Sequence, residues 1–236
     1  MGAEEAGMKA VAIILAAGEA RRMGHPKALI EHEGGKSFLQ SLASTFGKAG
    51  SMVLGVVGKD SEAVREQHPG MELVEAERWQ EGPLLSIKAG LDAALEAGAD
   101  VVLLHPVDMP ALRASTLKSL LKMAGDVDEL LRPEFEGAPG WPLVLSRSGA
   151  ERLRAAEGQQ LEPALATMKV RRVPVKDPGV VVNINTPETY ERLFGTQPRL
   201  APPPKRRGAK RGTAPATSNV AELGGGSAPM AAASEE

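Results

Sequence analysis

The stretch Val11-Ala12-Ile13-Ile14-Leu15-Ala16-Ala17-Gly18-Glu19-Ala20-Arg21-Arg22-Met23-Gly24-His25-Pro26-Lys27 decides how the rest of the chain is read. Its first seven residues are pure hydrocarbon, the length and content of a strand buried on both faces. Glycines at 18 and 24 then bracket Arg21 and Arg22, and the stretch closes on Lys27. Such a change at the end of a core strand makes a loop that holds anions. Gly18 and Gly24 let backbone amides approach a phosphate, while Arg22 and Lys27 supply countercharge. The other reading of these residues is a surface turn with solvated arginines. The pattern is neither a P-loop, for no Gly-Lys is followed by Ser or Thr, nor a Gly-x-Gly-x-x-Gly dinucleotide fingerprint. A nicotinamide-dependent oxidoreductase is disfavoured accordingly.

Working outward, strands are expected at 51–57, 71–74, 100–104, 129–135, 141–145, 170–175 and 180–184, with an irregular loop at 136–140. Helices are expected between them. Ser37 caps one through Phe38, Leu39, Leu42 and Phe46, Asp60 or Ser61 starts a short one, and Pro83 opens one through Leu84, Ile87, Leu91 and Leu95. Others carry Leu117, Leu120 and Leu121, or span 147–156 and 161–168, and Thr186 caps the last through Tyr190 and Phe194. This alternation predicts an α/β fold with a single doubly wound, mostly parallel sheet covered on both faces. Ligands of such folds sit beyond the carboxyl ends of the strands. Segments 18–27, 105–110 and 183–187 all follow expected strands and can converge there.

Composition narrows the chemistry. The 236 residues contain no cysteine, which excludes disulfides, thiolate catalysis and cysteine-ligated metals. Aromatic residues are only 3%, so the core is aliphatic. An acidic start and the lack of a long apolar run predict a soluble cytoplasmic protein with no membrane partner. Beyond Gln197 the chain carries six Lys and Arg against three Glu, leaving 22 Lys and Arg against 27 Asp and Glu before it. The mildly acidic body argues against nucleic-acid binding. The expected organisation is a flexible start at 1–9, a domain at 10–197, and a disordered, basic, Pro/Ala/Gly-rich tail at 198–236.

The segment from Leu15 to Lys27 resembles the signature Leu-Ala-Ala-Gly, x, small, x, Arg-Met-Gly, x, Pro-Lys of the MobA-like nucleotidyltransferases. Glu81-Gly82 with Ser86 and Gly90, Pro106-Val107-Asp108-Met109-Pro110, and Asn183-Ile184-Asn185-Thr186-Pro187-Glu188 resemble that family's later segments in order. The resemblance implies a Rossmann-like fold of the nucleotide-diphospho-sugar transferase type. It implies that Leu15, Ala16, Ala17 and Gly18 contact base and ribose, that Arg22 and Lys27 bind the triphosphate, and that Ser86 lies near the nucleotide. Asp108, with Asn183, would hold Mg²⁺.

The implied reaction passes a nucleoside monophosphate from CTP or GTP to a phosphorylated acceptor and releases pyrophosphate. Molybdopterin is the implied acceptor, the activity of the molybdenum cofactor cytidylyltransferase kind, and a molybdoenzyme the downstream client. Lys27, Arg22 and Asp108 are the expected catalytic residues. An acceptor phosphate is already ionised near neutral pH, so no general base is needed. Departures occur at Ala76, at Val107 before the metal Asp, and at Trp141, where the family usually has His. Together with Asn183 the last two motivate an alternative, a nucleotide-binding or cofactor-delivery module without turnover. His105 and His25 are read as structural.

Overall fold

In the computed structural model, which describes residues 7–203, the opening apolar run forms β1 (Ala10–Ala16), and the chain then alternates strand and helix. In order follow α1 (Phe38–Lys48), β2 (Met52–Val57), α2 (Ser61–Gln67), β3 (Glu72–Glu75), α3 (Pro83–Glu96), β4 (Val101–Pro106) and α4 (Ala114–Ala124). The second half adds β5 (Leu130–Phe135), β6 (Ala138–Pro139), β7 (Leu143–Ser146), α5 (Arg147–Ala155), α6 (Leu161–Ala166), β8 (Val170–Pro174) and α7 (Pro187–Phe194). One mixed sheet runs β3-β2-β1-β4-β7-β5, with β8 and β6 also paired to β5. β1 lies parallel to both β2 and β4, and β7 is the antiparallel member between β4 and β5. The doubly wound, mostly parallel sheet is thus present.

Alternation along the strands builds two cores. Ala10, Ala12 and Ile14 of β1, with Val101 and Leu103 of β4, face α1, α4 and α7 through Phe38, Phe46, Leu117, Leu120 and Tyr190. Val11, Ile13, Val102 and Leu104 face α3, α5 and α6 through Leu84, Ile87, Leu91, Leu153 and Leu165. α3 reaches the sheet closely because of Gly90. A Cβ there would lie 2.7 Å from Ile13 Cγ2 and 2.8 Å from Val56 Cγ2. Local signals set the helix starts as expected: Ser37 accepts from the Gln40 amide, Thr186 accepts from the Thr189 amide, and Pro83 opens α3.

Three expectations change. Residues 180–184 form no strand: Pro178–Val180 is a 3₁₀ turn entered through Asp177, whose side chain accepts from the Gly179 amide. The backbone beyond it bonds to two loops instead of a ladder, as Trp141 N donates to Val180 O and Ile184 N to Asp108 O. Residues 136–140 are not irregular either. Glu136 and Gly137 (φ 50° and 82°) make a two-residue turn, and Glu134 and Phe135 pair with Pro139 and Ala138.

Nor does the fold's edge stop at Gln197. Ile30 bridges Leu200, Glu31 N donates to Arg199 O, and Ala201 N donates to Leu29 O. Arg199 pairs with Glu31, and Gln67 Nε2 donates to Ala201 O at 2.9 Å. At the other end the Lys9 carbonyl accepts from Asp100 and Val101. Residues 1–6 of the expected flexible start and 204–236 of the expected tail lie outside the described residues.

Candidate active site

The chain winds from β1 to β2 and β3 on one side, then returns to place β4 on the other side of β1. The loops leaving β1 and β4 therefore diverge at a topological switch point, where doubly wound sheets bind ligands. The loop after β1 is pinned from within. Met23 is buried, the Met23 and Gly24 amides both donate to Ala20 O, and Gly24 takes φ 73°. Pro26 then leads into a 3₁₀ turn, Lys27–Leu29, anchored by the buried Ala28 and Leu29. That anchoring leaves the Lys27 side chain as the element turned toward the crevice.

Lys27 Nζ lies 2.7 Å from Asp108 Oδ2, and it also donates to Asn185 Oδ1. The pair is mostly covered, with side-chain exposures of 21% and 14%. Asp108 is delivered by the turn after β4, which is tied to the neighbouring loops at Val107 N to Leu15 O (3.0 Å) and Ile184 N to Asp108 O (2.8 Å). Three loops that the sequence places far apart thus meet at one ammonium group. The second oxygen of Asp108, Oδ1, is buried without a hydrogen-bond partner.

Of the remaining expected residues, Leu15, Ala17, Gly18 and Ser86 line one pocket of ≈ 400 Å³, with Glu19, Arg21, Trp79, Gln80, Gly82 and Pro83 completing it. Ala16 does not line it, because the strand's alternation turns its methyl to the α1 side of the sheet. Arg22 is exposed and without a carboxylate partner among the described residues, and it does not touch the Lys27–Asp108 pair. Asn183 is exposed, and the structure brings Asn185 to Lys27 in its place. The two asparagines flank the buried Ile184, and nothing in the sequence separates their roles.

Two further contributors were not legible from the opening loop. Lys59 and Arg21 both pair with Glu19, and these bonds hold its carboxyl below the usual range, Lys59 having the larger effect. The loop's own acid is thereby compensated, leaving Arg22 as a cation open to an anion. Trp79 is the other: its indole lies where a Gly58 Cβ would be, 2.7 Å from Trp79 Cγ, and forms a wall of the pocket. Its signal in the sequence was the rarity of large aromatics, with only two tryptophans in the chain.

The donor set fits a hard divalent cation of the phosphate-bound kind. Among the described residues no three His, Asp or Glu side chains cluster to hold a metal by themselves. Asp108 Oδ1 has no hydrogen-bond partner, which leaves a carboxylate oxygen for a cation bound mainly through phosphate oxygens and waters.

A switch-point crevice with a cationic loop, a strand-end carboxylate and an adjoining pocket defines an α/β protein that handles nucleotides. Residues 12–174 match the MobA-like NTP transferase domain, and the chain belongs to that family. It is similar to a probable molybdenum cofactor guanylyltransferase of Mycobacterium ulcerans, 29% identical over 197 residues, covering 78% of this chain and 93% of that one. The molybdenum cofactor guanylyltransferase of Xanthomonas euvesicatoria pv. vesicatoria is 30% identical, covering 79% and 95%. Among solved structures, Rv0371c from Mycobacterium tuberculosis H37Rv superposes with a TM-score of 0.70 at 22% identity, over 80% of this chain and all of that one. A manganese complex of Rv0371c gives a TM-score of 0.65 at 21% identity, over the same shares. The chain is a nucleotidyltransferase of the MobA type. No helix among the described residues is long and apolar enough to cross a membrane.

Proposed function

We propose that this nucleotidyltransferase moves a guanosine monophosphate unit from GTP to the phosphate of molybdopterin, releasing pyrophosphate, in the synthesis of a dinucleotide cofactor passed on to a molybdoenzyme. The observation that carries this reading is the Lys27 ammonium held between Asp108 and Asn185 beside the ≈ 400 Å³ pocket. The guanylyltransferase relatives support guanosine over the cytidine to which the sequence reading leaned.

In the proposed reaction an oxygen of the acceptor phosphate forms a bond to the α-phosphorus, the bond from that phosphorus to the β-phosphate oxygen breaks, and pyrophosphate leaves. A phosphate monoester has its second pKa near ~6, so the attacking oxygen is ionised and the protein supplies no base. The pocket walls, Leu15, Gly18, Trp79 and Ser86, would receive base and ribose. Lys27 would neutralise the triphosphate, and Arg22, open on the loop, would add charge at its outer end. Asp108 Oδ1 would take Mg²⁺ or another divalent cation, with Asn183 or Asn185 the nearby amides, and that cation would offset charge on the phosphates. Holding both phosphates in line is then the main task of the crevice.

The test is pyrophosphate release from each of the four nucleoside triphosphates with divalent metal, with and without molybdopterin. Release with GTP that depends on molybdopterin supports the reading. Preferential release with CTP would move the base assignment. Tight nucleotide binding with no release over any acceptor would favour the delivery-module alternative raised by Val107, Trp141 and Asn183.

A further inference from the structure

His105 is the one polar side chain among the buried inward-facing residues of β4, and it is fully covered. The same face of the strand carries Val101 and Leu103, so a leucine there would continue the hydrocarbon core. The ring instead packs 5.5 Å from Phe46 of α1 and places Nε2 2.9 Å from the carbonyl oxygen of Met109. A carbonyl only accepts, so Nε2 carries the proton, and Nδ1 is left as a buried atom without a partner. Burial lowers the pKa to about 4, so the ring is neutral at physiological pH and holds this single N–H.

The bond closes a turn from residue 105 to residue 109, and Asp108 sits inside it. On one flank the Asp108 carbonyl is already held by the Ile184 amide, and Val107 N is held by Leu15 O. On the other flank the Met109 amide donates to Pro106 O at 3.3 Å, and His105 holds the Met109 carbonyl. Without the His105 bond the peptide after Met109 loses its anchor, and the turn that aims the Asp108 carboxylate is held on that flank only by the 3.3 Å bond from the Met109 amide to Pro106 O.

We infer that His105 is a positioning residue for metal binding: by donating from Nε2 to Met109 O it fixes the turn that presents the Asp108 carboxylate to a divalent cation. This rests on the reading of Asp108 given above. Groups behind a ligand that fix its orientation commonly change metal affinity by roughly 10–100-fold when removed.

The experiment titrates Mn²⁺ by electron paramagnetic resonance into the whole protein with a non-hydrolysable GTP analogue, and measures analogue binding without metal in parallel. Asp108→Asn, which should abolish the Mn²⁺ site, identifies the signal. His105→Leu is expected to weaken Mn²⁺ binding roughly 10–100-fold while metal-free analogue binding stays unchanged. His105→Gln, which keeps an N–H donor on a side chain of similar reach, should recover most of the loss. If His105→Leu does not fold, His105→Met takes its place against His105→Gln. Wild-type Mn²⁺ affinity in the apolar variant overturns the inference, and so does an equal loss of metal-free analogue binding. A protein that shows this pattern but releases no pyrophosphate would overturn the proposed reaction and leave the role of His105 standing.

Discussion

Replacing Lys27 by alanine tests stability and catalysis at once, because in the proposed reaction one ammonium group serves both. In the structure Asp108 Oδ2 is held by Lys27 at 2.7 Å, while Oδ1 is buried with no partner. Removing the lysine strands a carboxylate whose side chain is only 14% exposed. Exposed pairs are worth about 0–1 kcal/mol and fully buried pairs cost about 3–5 kcal/mol to break from one side, so this mostly covered pair falls at about 1–3 kcal/mol. For a domain of this size that lowers Tm by about 2–12 °C. Losing one positive contact to the reacting phosphates should also cut kcat by about 10²–10³. A Lys27→Ala/Asp108→Asn double variant removes the stranded charge, so it should regain most of the lost Tm while remaining inactive. Differential scanning calorimetry and a coupled pyrophosphate assay report the two effects separately. A folded Lys27→Ala protein with unchanged Tm and unchanged turnover would refute the reasoning.

Other perturbations reach different parts of the molecule. Trp79→Ala should raise the KM for the nucleoside triphosphate about 5–30-fold, as loss of about 1–2 kcal/mol of base stacking would, and leave kcat nearly intact in steady-state kinetics. Gly90→Val places a Cβ 2.7 Å from Ile13 Cγ2 and should cost about 1–3 kcal/mol in urea unfolding. Ending the chain at Gln197 removes the pairing of Arg199 and Ala201 with Leu29 and Glu31, and a lower Tm together with reduced turnover is expected. Stability should also fall with acidification. His105 is neutral in the fold down to about pH 4, whereas an unfolded histidine takes up a proton near ~6.5. The unfolded state therefore binds the extra proton as pH drops from about 6.5 to about 4, a loss approaching about 3 kcal/mol. His32 and His68, lowered by burial, act in the same direction. Urea midpoints at pH 7.5, 6 and 5 check this, and a smaller decline in His105→Gln would assign its share.

The sequence made the sheet and its two helical layers legible because the period-2 and period-3.6 signals were strong where burial is complete. β1 is a solid apolar run, and Phe38, Leu39, Leu42 and Phe46 mark one face of α1. It misled at 180–184, where an apolar run has the composition of a strand but follows Asp177-Pro178-Gly179. There the backbone closes a 3₁₀ turn and then bonds to loops at Trp141 and Asp108. The hairpin at 136–137 was hidden because Glu136 adopts a positive φ, a conformation that a non-glycine side chain does not advertise.

In the site, the residues with unusual chemistry were visible, and their pairings were not. Lys27 and Asp108 stood out by type and by position after strands, yet their contact spans 81 residues. Asn185 and Asn183 occupy one short motif, and only the three-dimensional path places the first on Lys27. Lys59, far from the opening loop, removes Glu19 from the electrostatic balance. Such a long-range pairing has no periodic signature to be read.

In the proposed reaction a carboxylate and an ammonium from two strand ends make one metal-assisted site for nucleotidyl transfer. Pyrophosphate release from GTP with divalent metal and molybdopterin, compared between the wild-type protein and Asp108→Asn, tests it most directly. Acceptor-dependent release by the wild-type protein is expected, with a loss of at least about 10³-fold in a variant that keeps its fold and its Lys27 contact. Equal release by the two proteins would contradict it.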